Sequence, residues 1–230
     1  MTHPEVEVPA FADELLSRRL EREPLAYILG SWEFYGRPFF VGPGVLVPRA
    51  DTETLIEAAL SLGPQKEVLD VGTGSGCLAI TLALEWPEAA VTAVDISPEA
   101  LAYARRTSDA LKAGVKFLES DMLSAVSDRH FDLIVSNPPY VAPGDELQRE
   151  VELFEPDVAL YGGSDGYAPY SLLARGAMKN LNPGGHLIIE FGDGMDLRIK
   201  DIFEDHGWRV LAAHNDLSDR PRAMTLASKE

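Results

Sequence analysis

A single cysteine, Cys77, is all the chain contains. One thiol can form neither an intrachain disulfide nor a cysteine-based metal site, and a lone cysteine suits a reducing compartment. Cations are also scarce: 20 Lys and Arg stand against 37 Asp and Glu, a formal net charge of −17 at pH 7. Bulk attraction to a nucleic-acid backbone needs clustered Lys and Arg. The balance therefore argues against direct nucleic-acid binding, although a local basic patch is still compatible with it. No apolar run approaches the ~20 residues of a membrane span. The opening Met1–Ala10 holds Pro4 and Pro9 and lacks a basic stretch followed by an apolar one, which is not the pattern of a signal peptide. The five histidines, His3, His130, His186, His206 and His214, are scattered without ligand-like spacing to carboxylates, which speaks against a metal site. Repeats and low-complexity tracts are missing. Together these absences lead to the expectation of a cytoplasmic protein with no membrane partner.

What is present is enough for a real core, since 46% of the 230 residues are hydrophobic. Residues 10–22 carry Phe11, Leu15, Leu16 and Leu20 at helical spacing. The aromatic and β-branched stretch 31–48, interrupted by Gly36, Gly42 and Gly44, predicts a β-hairpin. Asp51 looks like the N-cap of a helix through Leu60, with Glu53 in its first turn. From residue 66 strands and helices alternate. The strands are "KEVLDVG", "AAVTAVDI", "VKFLES", "FDLIVSN", "HLIIEFG", "WRVLAAHND" and "RAMTLASK". Ser97, Pro98 and Gly114 bracket the helix after the second strand, and "NPGG" closes a helix over 167–181. The last two strands have no helix between them and should pair antiparallel. The prediction is an α/β fold with a mostly parallel seven-stranded sheet covered on both faces and an antiparallel terminal strand. A short helix and the hairpin precede it. Ligands of such folds sit at the carboxyl ends of the strands.

The first strand ends on Asp70, followed by Gly72-Thr73-Gly74-Ser75-Gly76. Glycines let the backbone turn tightly and approach a ligand, with a helix N-terminus just behind. The spacing is G-x-G-x-G, not the G-x-G-x-x-G of dinucleotide binders, and Asp70 would repel a pyrophosphate and favour a cation. A tight strand–helix turn is the plainer alternative. The second strand ends on Asp95, which lies 23 residues after Gly72 and can accept from a ribose diol; a capping or solvated Asp is the alternative. The third ends on Asp121 and Met122, suited to an adenine amine and ring face, or else to a loop and the core. In order, the three ends describe a pocket for an adenosine with a positive, amino-acid-bearing tail, which fits S-adenosylmethionine better than NAD.

The fourth strand stops at Asn137-Pro138-Pro139-Tyr140. Prolines have fixed φ and no N–H, and they hold the preceding residue out of the helical region. The Asn137 side-chain oxygen and the Pro138 carbonyl are thus two rigid acceptors, which is what an –NH2 on a planar carbon needs. Tyr140 can lie against the flat face of that group. No general base is apparent. Cys77 begins a helix, where its pKa could fall, but a small buried residue fits it better. The acidic run "GDELQREVELFEPD" reads as a solvated helix or loop beside the site.

"DVGTGSG", "VDIS" and "NPPY" in this order resemble the class I S-adenosylmethionine-dependent methyltransferases that modify a planar amine. "EPLAYILGSWEFYG" and "VLVPRADTE" narrow the resemblance to the HemK/PrmC family of release-factor glutamine methyltransferases, from about residue 10 onward. The resemblance implies a Rossmann-like fold and methylation of the glutamine amide in the Gly-Gly-Gln motif of peptide chain release factors, which are the partner. It implies that Asn137 to Tyr140 bind the glutamine, Gly72 to Gly76 the methionine part of the cofactor, and Asp95 the ribose, with Met122 on the adenine side. Relatives carry a helical bundle ahead of this region, where here one helix stands, and often Pro at the place of Ala50. The implied division is a remnant of the N-terminal helical region over 1–30, hairpin and linking helix over 31–60, and a catalytic domain over 61–230. Phe34 and Tyr35 suit either a cofactor cover or the core. The rivals are a ribosomal-protein glutamine methyltransferase, an adenine-amine methyltransferase and a non-catalytic binding module.

Overall fold

The structure, a computed structural model, describes residues 12–229. Met1–Ala10 and the opening of the 10–22 helix, with Phe11, lie outside the described residues. The rest of that helix is present as Ala12–Leu20, and Arg19 pairs with Glu150 at 2.7 Å.

Strands β1 (Ser31–Phe34) and β2 (Arg37–Phe40) form the hairpin. Tyr35 and Gly36, with φ of 50° and 69°, make the two-residue turn whose positive φ values match strand twist. The hairpin is shorter than expected. Residues 41–49 form a loop, because Pro43 and Pro48 cannot donate to a ladder. Phe34 and Phe39 stack edge to face, 5.8 Å apart, and are fully buried against the following helix. That helix is Glu53–Ser61, entered through a 3-10 turn at Ala50–Thr52. Asp51 does not cap it, since no side chain does; its carboxylate lies 3.4 Å from Arg222. Glu53 is in the first turn as expected and accepts the Tyr35 N–H at 2.8 Å.

The remaining strands are β3 (Glu67–Val71), β4 (Ala90–Asp95), β5 (Lys116–Glu119), β6 (Phe131–Ser136), β7 (Leu181–Glu190), β8 (Trp208–Asn215) and β9 (Pro221–Ser228). They form one seven-stranded sheet in the order β5-β4-β3-β6-β7-β9-β8. The first five are parallel, and β9 runs antiparallel to both β7 and β8. The short link after β8 makes this geometry: the Asp216 carboxylate accepts the N–H groups of Ser218 and Arg220 and turns the chain straight back.

Alternate strand residues point to opposite faces, and both faces are covered. Val68, Leu133, Val135 and Ile188 pack with the helices Glu53–Ser61 and Cys77–Glu85. Leu69, Ile134, Leu187 and Ile189 pack on the other face with Tyr170, Ile199, Phe203 and Trp208. Ser97 caps the helix Pro98–Leu111 by accepting the Ala100 N–H at 3.1 Å. Its end is made by Lys112 at φ 57°, ahead of Gly114. The "NPGG" segment does not close a helix. The helix there is Ala168–Gly176, a 3-10 turn follows over Ala177–Asn180, and the segment lies inside β7, where the ladder to β6 slips. The Asn180 amide donates to the carbonyls of Val126 and Arg129, which pins the chain just before β7 begins.

Candidate active site

Strand order reverses between β3 and β6, and outside their carboxyl ends lies a cavity of about 320 Å³, the place the fold's topology favours. The loops after β3, β4, β5 and β6 all border it, through Gly72 to Ser75, Asp95 to Ser97, Ser120 to Met122, and Asn137 with Pro139.

Gly72 and Gly74 have φ of 73° and 55°, and a Cβ on either would meet nothing within 4 Å. Bare backbone is therefore presented to the cavity, with space where side chains would stand. Gly76 works differently: a Cβ there would come 2.8 Å from Ile80 and 3.1 Å from Ala104, so its bareness lets two helices meet. Asp70 is fully buried and does not border the cavity. One of its oxygens accepts from the Thr73 hydroxyl at 2.6 Å and from the Ala79 N–H at 3.2 Å, which ties the loop to the helix behind it. Burial pushes Asp70 up to about 7.

Asp95 accepts the Gly74 N–H at 2.7 Å through one oxygen and the Ser97 N–H at 2.8 Å through the other. Burial raises its pKa against those N–H groups. Each carboxylate oxygen has more than one lone pair, so both retain capacity for a diol. Asp121 is exposed at the rim, and Met122, at a left-handed φ of 49°, sits between the cavity and the core. A non-glycine residue in that region costs energy and points to a constrained site. Cys77 borders the cavity, but its pKa is not lowered: burial pushes the thiol up, and Asp70 nearby adds to it, outweighing the helix N-terminus.

At the end of β6, Ser136 donates to the Val71 carbonyl at 2.7 Å, locking the two strand ends together. Asn137 borders the main cavity and also a second one of about 280 Å³, which Pro138 and Tyr140 line. The two spaces share this side chain as a wall, together with Leu46, Arg49 and Ala159. Its Nδ2 donates to the Thr52 hydroxyl at 3.1 Å. Tyr140 packs toward Gly192 and Met195, and burial pushes its phenol up to about 12. The loop is braced from outside, where the Val141 N–H donates to the Leu160 carbonyl at 2.8 Å and the Gly162 N–H to the Val141 carbonyl at 3.0 Å.

Sequence reading singles out neither Thr52, Glu155 nor Glu190 at the junction and assigns no role to Arg49. Arg49 Nη2 donates to both oxygens of Glu155 at 2.7 Å, joining the 41–49 loop to the far wall. Glu155 is 5% exposed, so the acidic run is solvated as expected over the helix Arg149–Phe154 but not at its end. Glu190 ends β7 and is buried against Thr52 and Asn137. A charge closing the apolar run "HLIIE" was the signal available, at the same kind of strand end that drew attention to Asp95. Phe34 and Tyr35 border neither cavity; Phe34 is core, and Tyr35 donates to Glu57 at 2.6 Å.

Residues 49–155 match the Methyltransferase small domain family. A release factor glutamine methyltransferase of Koribacter versatilis is 47% identical over 97% of this chain and 82% of its own length. The chain belongs to the release factor glutamine methyltransferase family. A second member of this family, from Neisseria gonorrhoeae, is 43% identical over 94% of this chain and 81% of its own. Solved structures agree on the fold. A Pyrococcus furiosus methyltransferase superposes with a TM-score of 0.64 at 23% identity, covering 94% of this chain and 98% of that one. A Thermus thermophilus 16S rRNA methyltransferase in complex with AdoMet and guanosine gives 0.63 at 23% identity, over 87% and 50%. The seven-stranded architecture is thus that of the class I methyltransferases, and this family member carries it complete from β3 to β9.

Proposed function

We propose that this protein transfers the methyl group of S-adenosylmethionine to the side-chain amide nitrogen of the glutamine in the Gly-Gly-Gln motif of peptide chain release factors. The observation that carries this is that Asn137 lines two neighbouring cavities in a chain of this family. The residues present fit the cofactor: open backbone at Gly72 and Gly74, spare acceptor capacity on Asp95, and the apolar Ile96 and Met122 beside them. In this reading the glycine loop holds the amino-acid end, Asp95 the ribose, and Asp121 with Met122 the adenine. Asp70 acts from beneath, through Thr73.

When bound, the cofactor supplies an electrophilic methyl group on a sulfonium. The protein's task is positioning. A glutamine amide is a weak nucleophile because its lone pair is delocalised. The Asn137 oxygen and the Pro138 carbonyl take its two hydrogens and turn the lone pair toward the neighbouring cavity. Holding reactants aligned at ~3–3.5 Å supplies several kcal/mol of the barrier reduction. The same acceptors stabilise the positive charge that develops on nitrogen. Tyr140 packs against the amide face, and Pro139 shapes the wall of the main cavity beside Asn137.

Residues 61–230 are the catalytic unit here, and 31–60 furnish one wall through Thr52 and the loop before it. A net charge of −17 disfavours a nucleic-acid substrate, and among the described residues no helix is long and apolar enough to cross a membrane. We place the protein in the cytoplasm with the translation machinery. The test is to incubate it with labelled S-adenosylmethionine and, separately, release factor, ribosomal proteins and DNA, then map the label by peptide mass spectrometry. Label on the Gly-Gly-Gln glutamine is expected. Label confined to another substrate, or none, would overturn the assignment.

A further inference from the structure

Glu190 is 1% exposed, and its Oε2 has no hydrogen-bond partner. The residue lines the second cavity beside Asn137, Pro138 and Tyr140. Its backbone is held by the Tyr170 hydroxyl, which donates to the Glu190 carbonyl at 2.9 Å. A buried carboxylate of this kind costs stability unless it serves something, and the transfer as derived above does not use it.

What it faces is the amide of Asn137. A side-chain amide has a donor end and an acceptor end of nearly the same shape, and a flip exchanges them. A substrate –NH2 can be held only if the Asn137 oxygen faces it. The nitrogen end must then be satisfied on the protein side. Thr52 accepts one N–H at 3.1 Å, and the unpartnered Oε2 of Glu190, on the wall of the second cavity with Asn137, is the carboxylate oxygen free to take the other. We propose that Glu190 is a positioning residue for the transfer: with Thr52 it takes the N–H groups of Asn137 and so fixes the Asn137 oxygen toward the nucleophile. This rests on the reading of Asn137 as the glutamine-holding group.

The protonation state matters, because a carboxylate accepts from Asn137 whereas a carboxylic acid donates and favours the flipped amide. Burial pushes Glu190 up to about 7, against the Thr52 hydroxyl, Arg222 and the Asn137 amide, while Asp51 adds to the rise. The phenols of Tyr140 and Tyr170 and the thiol of Cys77 also face it, and burial raises all three, keeping them neutral in this range. Transfer by the native protein therefore climbs with pH and levels off above about 7.

The test compares the native protein with Glu190→Gln. The expected result is a fall in kcat of roughly tenfold or more, the loss of one charged hydrogen bond, with cofactor affinity retained and the pH rise abolished. A role confined to stability would lower the melting temperature and leave the pH profile in place. Thr52→Val should lose turnover and Thr52→Ser should recover it, which keeps the inference open to refutation even if Glu190→Gln does not fold. A second arm needs no release factor. The Asn137 side-chain NH2 resonances of nitrogen-15-labelled protein, identified by their absence in Asn137→Ala, should shift with pH through the ionisation of Glu190. Resonances indifferent to pH, or a Glu190→Gln enzyme with native kcat and pH profile, would overturn the proposal. Glutamine transfer failing while the resonances titrate would count against the function and leave the positioning intact.

Discussion

Adding one methyl group at Gly162 should damage turnover more than it damages the fold. Gly162 lies under the Asn137–Tyr140 loop, donating its N–H to the Val141 carbonyl at 3.0 Å and accepting from Ala168 at 3.1 Å. A Cβ there would sit 2.5 Å from the Pro139 carbonyl oxygen and 2.7 Å from that of Gly166. Its φ is not in the left-handed region, so the effect is one of space alone. Both obstructing atoms are backbone and cannot swing aside. Contacts below 3.0 Å do not persist, so the Gly162 and Pro139 backbones must move apart by about half an ångström. Fixed proline φ angles transmit that shift to Asn137. Overpacking of this kind costs ~1–3 kcal/mol. For a chain of this size that lowers the melting temperature by roughly 2–12 °C. A misplacement of ~1 Å can cost about 100-fold in rate, so a shift half as large should cost on the order of tenfold. Thermal melting, calorimetric titration of S-adenosylmethionine and single-turnover transfer to release factor separate the effects. Gly162 and Pro139 also border the main cavity, so the cofactor titration shows whether the added methyl group reaches it while Gly72, Gly74 and Asp95 stay in place. A Gly162→Ala protein with native turnover would refute the claim that this segment sets the geometry of the loop.

Other substitutions test the remaining parts. Asn137→Ala should retain cofactor binding and lose most turnover, about 100-fold or more by analogy with deleting one polar group that stabilises developing charge; transfer kinetics at saturating cofactor check this. Asp95→Ala should weaken cofactor binding by ~10–100-fold, the loss of one or two charged hydrogen bonds, measured by calorimetry. Asp70 is raised from 3.8 to about 7, so the folded state holds its proton while the unfolded chain has released it. Its contribution to stability is therefore full below about 4 and is lost as pH rises through about 7. Denaturant melts of Asp70→Asn, subtracted from native melts at each pH, should show that slope; a flat difference would contradict it.

Much of the architecture is local information. The alternation of apolar runs with capped helices lays out β3 to β9 because the central strands bury both faces and each helix one. Ser97 caps through its own hydroxyl, and the prolines at 138 and 139 stop β6 through their own rings. Asp95, the glycine loop and Asn137 could be marked because parallel strands of this fold bring their carboxyl ends to one edge. Where a neighbour distant in the chain decides, the local signal misleads. Asp51 resembles a cap but faces Arg222. "NPGG" resembles a helix end but joins β7, because Asn180 is claimed by the carbonyls of Val126 and Arg129. At Cys77 the preferred reading, a small packed residue rather than an activated thiol, agrees with a pKa raised by burial beside Asp70.

By itself, then, the sequence determined the order of strands and helices, the glycine loop, and the rigid pair of acceptors at Asn137 and Pro138. These depend on torsions, caps and periodicity within a few residues. The tertiary structure alone decided that Thr52 and Glu190 stand beside Asn137, that Arg49 closes onto Glu155, and that Gly162 braces the loop. Each joins segments far apart in the chain, and no property of either segment specifies the other until the sheet has put them side by side.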